Sequence, residues 1–151
     1  MRDNFWLANR LFYVWKTYFP DIIDGNELKV KFGRPSKTRL GSIALRRKGQ
    51  EKKRLLKHRA NFLKPEEAIS IITINGHLAN EDVPEKMIDA IIAHEFCHFV
   101  HGFNSLRTKL YRLPHSGGVI DHELKKRGLE ETLRFQKAWI KQNWKNIIKT
   151  K

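Results

Sequence analysis

The stretch from Ile88 to Phe103 is the most apolar part of the chain, and polar residues interrupt it, among them His94, Glu95, His98 and His101. These residues leave no run of roughly 18 uncharged residues, so the stretch is too polar to span a bilayer. Its apolar residues recur at helical spacing and form one stripe: Ile88, Ile92, Phe96 and Phe99. The sequence therefore predicts an amphipathic helix whose apolar side lies in the core.

The ends of this helix also leave signals in the sequence. Residues 80–84 read Asn-Glu-Asp-Val-Pro, a pattern typical of a helix entry. We expect Asn80 to cap the first turn and Pro84 to occupy a position at or near the first helical residue. The apolar pattern continues to about Val100 or Gly102, where we expect the helix to end.

His94 and His98 are four residues apart, and Glu95 lies between them in the pattern His-Glu-x-x-His. On a helix, residues i and i+4 project from one face, so both imidazoles can reach one metal ion beside the carboxylate. Zinc suits such ligands and lowers the pKa of bound water toward about 7. Glu95 could then act as the general base, which predicts hydrolysis of a peptide bond. A solvated helix face without function is the alternative, and the otherwise apolar helix argues against it.

The remaining pattern predicts one α+β domain over residues 1–151. Residues 3–19 have helical periodicity, and we expect this helix to pack on a sheet. Three segments predict strands, namely 28–32, about 39–45, and the β-branched run 69–74. A last helical region, with basic residues between its apolar positions, includes Leu124 and continues beyond Trp144.

Basic residues are concentrated in two segments. The net charge is +14, and Lys29 to Arg59 contains 13 Lys or Arg opposed only by Glu51. We expect a basic excursion at about 46–60 and a basic C-terminal helix. Such patches bind polyanions, DNA above all, although they can also serve solubility alone. The predicted nucleic-acid contacts are Arg46, Arg47, Lys48, Lys52, Lys53, Arg54, Lys57 and Arg59, followed by Lys125, Lys126, Arg127, Lys137, Lys141, Lys145 and Lys149.

Cys97 is the only cysteine, which excludes an internal disulfide and a four-cysteine zinc site. It lies about 100° around the helix from His98, so we expect it to fill the core. His101 does not complete the longer pattern His-x-x-Gly-x-x-His, and we expect it at the surface or behind the metal ligands. Trp139 and Trp144 are surrounded by apolar residues, which favours packing over stacking on bases.

The N-terminal residues have no apolar segment followed by a small-residue cleavage site, which argues against secretion. The absence of a cysteine pair agrees with a reducing compartment. We therefore expect an intracellular, cytoplasmic protein.

Four segments, taken together, carry a resemblance to a known family. They are Ile91-Ile-Ala-His-Glu-Phe-Cys-His98, Arg39-Leu-Gly-Ser42, the strand at 69–75, and Leu113-Pro-His-Ser116. In this order the chain resembles the SprT-like zinc metalloproteases and their small zincin relatives over most of residues 5–130. The resemblance implies a compact zincin-like core, with an N-terminal helix on a three- or four-stranded sheet. It also implies zinc held by three histidines, Glu95 as base and, for some members, cleavage of DNA-associated proteins.

The third ligand implied by the resemblance is a histidine shortly before or at the start of the next helix. His115, in Leu-Pro-His-Ser-Gly-Gly, fits this context, and we expect Gly117 and Gly118 to let the backbone come close to the site. His122 is the rival, because a ligand one turn into a helix also suits zincin geometry. Glu123 is a further candidate.

A substrate site is expected beside the helix. A strand upstream could lie along the rim of the cleft, where an extended peptide would add to its free edge, and Tyr111 could donate to a developing oxyanion. Two other functions stay open: a non-catalytic nucleic-acid-binding module with a structural or vestigial zinc site, and a metal-dependent hydrolase of another bond. The expected partners are a protein or peptide substrate and, through the basic segments, DNA, with no membrane.

Overall fold

The chain folds around the helix α3, Glu85–Val100, in a computed structural model that describes residues 1–149. Thirteen of the 16 residues of α3 are buried, because other helices and the sheet pack around it and leave an open cleft beside Glu95. The predicted helix is therefore confirmed, and it ends at Val100, within the expected range. The molecule has mixed helices and strands and is of the α+β class, as predicted.

The entry to α3 differs from the expectation. Asn80 caps a tight turn ahead of the helix, where its Oδ1 accepts from the Asp82 amide at 2.8 Å and its carbonyl accepts from the Val83 amide at 3.0 Å. Pro84 is the N-cap residue, and no side chain caps the helix. The helix starts one turn later than the capping pattern alone indicates, because Asn80 serves the preceding turn.

Three strands form the sheet: β1 Glu27–Phe32, β2 Gly41–Arg47 and β3 Ala68–Ile74. Their order is β1-β3-β2, with β1 parallel and β2 antiparallel to β3. Ile72 pairs with Val30 on one side and Ile43 on the other. The β-branched run predicted as a strand is thus the central strand, and the outer edges of this sheet belong to β1 and β2.

The N-terminal helix α1, Asn4–Tyr18, packs against β1 and α3, which confirms the predicted packing of this helix on the sheet. Asp3 begins it, since its carboxylate accepts a hydrogen bond from the Trp6 amide at 2.8 Å. Its buried face consists of Leu7, Leu11 and Val14. The guanidinium of Arg10 reaches α3, where it donates to both carboxylate oxygens of Asp89.

The last helical region consists of two helices, α4 Val119–Lys126 and α5 Glu130–Lys149. Gly128, with φ of 93°, turns the chain between them. Helix α5 packs against α3, and its two tryptophans are partly buried against the core, as predicted. The indole of Trp144 also donates to the Lys37 carbonyl at 2.9 Å, which ties α5 to the connection that precedes β2.

The basic excursion is mostly exposed, as expected, but its first two residues, Arg46 and Arg47, are the end of β2. A short helix α2, Lys57–Ala60, lies within it. Leu63 returns to the sheet and joins a small separate apolar cluster with Leu45 and Ala68. Among residues 1–149, no helix is both long enough and apolar enough to cross a membrane.

Candidate metal centre

Three histidine side chains, from His94, His98 and His115, converge at one point. One ring nitrogen of each can be chosen so that all three lie within 4.8 Å of one another, close enough to bind one metal ion. The ring centroids of His94 and His98 are 4.9 Å apart, and that of His115 lies 5.6 Å from the first and 4.6 Å from the second. His94 and His98 therefore lie on one face of the helix, as their spacing predicts. His115, the preferred third ligand, lies beside them.

His115 reaches the site from the turn that leads into α4, where it is the N-cap of the short helical turn Ser116–Gly118. The two glycines in this turn have φ of 67° and 66°, a left-handed conformation that L residues with side chains adopt at a cost. A Cβ on either would meet no atom within 4 Å. The expectation of a close backbone approach is therefore wrong, and the glycines instead allow the turn that presents His115.

Neither rival ligand takes part in this group. The side chain of His122 is exposed on α4. Glu123 accepts a hydrogen bond from Arg127 at 2.8 Å, and its other oxygen lies 3.4 Å from Nε2 of His101. Both carboxylate oxygens of Glu123 are thus engaged by Arg127 and His101.

The electrostatics of the group favour neutral imidazoles. Burial, together with the neighbouring histidines, lowers the pKa of His98 to about 4 and also lowers the pKa of His94. Nδ1 of His98 is buried without a hydrogen-bond partner among residues 1–149. Neutral imidazoles are the form that binds zinc, and three such ligands around one point fit a zinc ion with one position left open.

Glu95 lies on the floor of the cleft beside this group and is 7% exposed. Burial raises the pKa of its carboxyl to about 7, and the positive charge of Arg39 opposes that shift. Among the described residues, no group donates a hydrogen bond to this carboxylate. The carboxylate therefore lines the cleft without a hydrogen-bond donor of its own among residues 1–149.

The cleft above Glu95 has a volume of about 430 Å³. Residues 38–41 form one side, at the start of β2, and residues of α5 form another. Gly41 is required here, because a Cβ at this position would lie 2.7 Å from Cγ2 of Ile91. Strand β2 is an outer strand of the sheet, whereas β3 has neighbours on both sides. The edge beside the cleft therefore belongs to β2.

Two contributors to the cleft carry no signal in the sequence that sets them apart. Asn75 is 4% exposed, and its Nδ2 donates to the carbonyls of Ser36 and Arg39 at 2.7 and 2.6 Å. It therefore holds the connection that forms one wall. Lys137 of α5 lies on the other wall. The sequence pattern places Asn75 at the end of the strand segment 69–75 and Lys137 among the cations of the basic C-terminal helix.

His101 is fully buried, so a surface position, one of the two expected for it, is wrong, and its Nε2 lies near Sγ of Cys97 and a carboxylate oxygen of Glu123. Its ring contacts the Tyr111 ring at a centroid distance of 4.7 Å, and its carbonyl accepts from the Leu110 amide at 3.0 Å. These contacts attach to α3 the loop that leads to His115. Cys97 is buried, with Sγ 3.6 Å from Nε2 of His101, and fills core as predicted.

The cations of the basic excursion divide into two groups. Arg47 pairs with Glu67 at 3.0 Å, Lys48 pairs with Glu27 at 3.4 Å, and Arg46 donates to backbone carbonyls. The five others, Lys52, Lys53, Arg54, Lys57 and Arg59, are exposed and have no ion pair within residues 1–149. A groove of about 280 Å³ lies along this segment, lined by Arg47, Lys53, Arg54 and Arg59 among others.

No family model, no curated protein and no solved structure matches this chain. The resemblance to SprT-like proteases therefore depends on the segments quoted above, and the case for a function depends on the geometry of the site. That geometry comprises a three-histidine group, a buried glutamate beside it, and a cleft at the edge of a sheet.

Proposed function

We propose that this protein is a zinc-dependent endopeptidase of the SprT-like type, with His94, His98 and His115 as zinc ligands and Glu95 as general base. The observation that carries the proposal is that the three imidazoles converge beside a carboxylate on the floor of an open cleft. A structural zinc site has four protein ligands, whereas three ligands leave one position for water or substrate.

The chain's own residues account for the steps of peptide hydrolysis. A bound zinc ion would supply Lewis-acid activation of water and of the peptide carbonyl. Glu95 would take a proton from the attacking water on its carboxylate oxygen and pass it to the leaving amine. The free edge of β2 would hold an extended peptide by main-chain hydrogen bonds.

The basic excursion supports a second part of the proposal, in which the protein binds DNA and cleaves proteins associated with it. The five unpaired cations and the groove beside them offer phosphate contacts with little sequence choice. Arg46, Arg47 and Lys48 have partners within the chain, so we expect Lys53, Arg54 and Arg59 to contribute more to affinity than these three. Binding should weaken steeply between low and moderate salt.

The test combines metal analysis with a cleavage assay on an unfolded protein, with and without DNA. Wild type should contain one zinc per chain and cut the substrate, EDTA should stop cleavage, and added zinc should restore it. Glu95→Gln should keep the zinc and lose cleavage by at least about a hundredfold, in the range of losses for a general base. Glu131→Gln, at an exposed position of α5, is the matched control and should cleave as wild type does.

Two outcomes would contradict the proposal. A pure protein that takes up no stoichiometric zinc has no metal centre of this kind. A zinc-loaded Glu95→Gln variant that cleaves as fast as wild type has another base or another source of activity. If zinc is bound, nothing is cut, and DNA affinity survives EDTA, the nucleic-acid-binding module is the better description.

A further inference from the structure

Two cations line the cleft, and they come from two elements on either side of α3. Arg39 precedes β2, and Lys137 belongs to α5. Helix α3 packs against both β2 and α5, and Glu95 on α3 lies between them at the base of the cleft. Both cations are therefore placed where the side chains of a bound peptide would lie.

Arg39 acts on the Glu95 carboxylate through its charge but does not form an ion pair with it. Its side chain is exposed, and its guanidinium forms no ion pair within residues 1–149. Its backbone, in contrast, is held firmly, because the carbonyl accepts from Asn75 at 2.6 Å and the amide donates to Ser36 at 3.2 Å. A guanidinium on a fixed backbone at the edge of a cleft is suited to bidentate binding of a carboxylate.

Lys137 has only a weak partner. Its ammonium lies 3.9 Å from the carboxylate of Asp121, and both side chains are more than half exposed. Exposed pairs of this kind contribute little, so Lys137 can turn toward a ligand in the cleft. Within residues 1–149, Glu95 is the only acidic residue that lines the cleft, and the proposed mechanism assigns it to the water. The lining thus offers two cations to a substrate and no second anion.

We propose that the cleft selects peptides with a carboxylate next to the scissile bond. Arg39 binds this carboxylate directly, and Lys137 adds a second positive charge to the cleft. This inference rests on the proposed peptidase function for its meaning, although the binding preference can be measured without cleavage. The carboxylate can come from an Asp or Glu side chain or from the end of the peptide chain. An endopeptidase requires the side chain, and we expect that source.

The experiment uses zinc-loaded Glu95→Gln protein, in which peptides bind without being cut. Fluorescence anisotropy compares two labelled peptides that differ only by Glu or Gln at a single internal position, each with a free and with an amidated C terminus. Work at about 150 mM salt limits the long-range attraction of a protein with charge +14 for any anion. The Glu peptide should bind about tenfold more tightly, in the range of a charge-assisted bidentate contact, whether or not its terminus is amidated.

Substitutions that replace a cation by a neutral residue then show which side chain causes the preference for the Glu peptide. Arg39→Gln should reduce the tenfold ratio to below twofold, and Lys137→Gln should reduce it in part. Arg34→Gln, in the same connection as Arg39, and Lys141→Gln, one turn beyond Lys137 on α5, remove the same charge outside the cleft lining. Both controls should keep the ratio.

Three results would overturn the inference: equal binding of the Glu and Gln peptides, a ratio that survives Arg39→Gln, or a ratio that the control substitutions reduce equally. A preference that disappears on amidation would assign the carboxylate to the chain terminus and refute the expected side-chain source. With active enzyme, mass spectrometry should place cut sites next to Asp or Glu for wild type and without that preference for Arg39→Gln. A protein that cleaves nothing yet retains the Arg39-dependent ratio refutes the peptidase function but not the carboxylate site.

Discussion

The burial of Glu95 leads to a prediction about stability that does not require enzyme activity. The pKa of this carboxyl is raised from 4.5 to about 7 in the folded chain, chiefly because it is buried. Between these two values the folded state holds a proton that the unfolded state has released. The contribution of Glu95 to the unfolding free energy should therefore fall as pH rises through this window and be lost above about pH 7, whereas the lowered pKa of His98 contributes a rise over part of the same range.

The magnitude follows from the size of the shift. One pKa unit corresponds to about 1.4 kcal/mol, so a shift from 4.5 to about 7 corresponds to about 3 kcal/mol. Glu95→Gln removes this titration and leaves every other titrating group in place. From pH 4.5 to pH 8, the metal-free variant should therefore gain about 3 kcal/mol in unfolding free energy relative to wild type.

Urea denaturation followed by the fluorescence of the four tryptophans measures this difference, with EDTA present and at several pH values between 4.5 and 8. Only the change with pH is informative, because the substitution also shifts stability by a constant amount. Glu131→Gln reports the effect of removing a carboxylate from the surface. Curves for wild type and Glu95→Gln that stay parallel to within about 1 kcal/mol would show that the carboxylate is as well solvated in the folded chain as in the unfolded one, and would refute its burial.

Three further changes test the packing and the ligands. Gly41→Ala should lower the unfolding free energy by about 1–3 kcal/mol in urea titrations, because the new methyl group overlaps a side chain of α3; an unchanged value would contradict the close packing of β2 on α3. Arg10→Leu leaves the carboxylate of Asp89 buried without its partner and should cost about 3 kcal/mol at pH 7, as measured by thermal or urea unfolding; a cost below about 1 kcal/mol would mean that the pair is solvated. His115→Ala should lose zinc in metal analysis while His122→Ala keeps it, and the reverse result would exchange the two assignments.

Much of the fold follows from local periodicity. Helix α1 and strand β3 are predicted within one or two residues at both ends, and α3 at its C-terminal end, because each carries a continuous apolar pattern with a clear break after it. The start of α3 is less predictable, since Asn80 can cap either a helix or the turn before it. The break between α4 and α5 lies at Gly128, within a region whose apolar spacing continues on both sides.

The candidate site also has one part that the local sequence predicts and another that it does not. His94, Glu95 and His98 are neighbours on one helix, so their relative placement depends only on helical geometry. The 16 residues between His98 and His115 have no regular pattern, and the path of that loop depends on contacts such as the ring of His101 against Tyr111. Local spacing therefore favours His115 as the third ligand without excluding His122 or Glu123. The folded chain brings His115, and neither rival, to the other two histidines.

The sequence by itself determines that a buried helix presents two imidazoles and a carboxylate on adjoining positions, and that the chain bears an excess of positive charge. The first property depends on residues close together in the chain, and the second is the sum of the side-chain charges. The tertiary structure alone decides that His115 joins the pair, that β2 provides the edge beside the cleft, and that Arg39 and Lys137 face it from two sides. Such placements arise from packing between segments up to about a hundred residues apart, and no local pattern records which segments will meet.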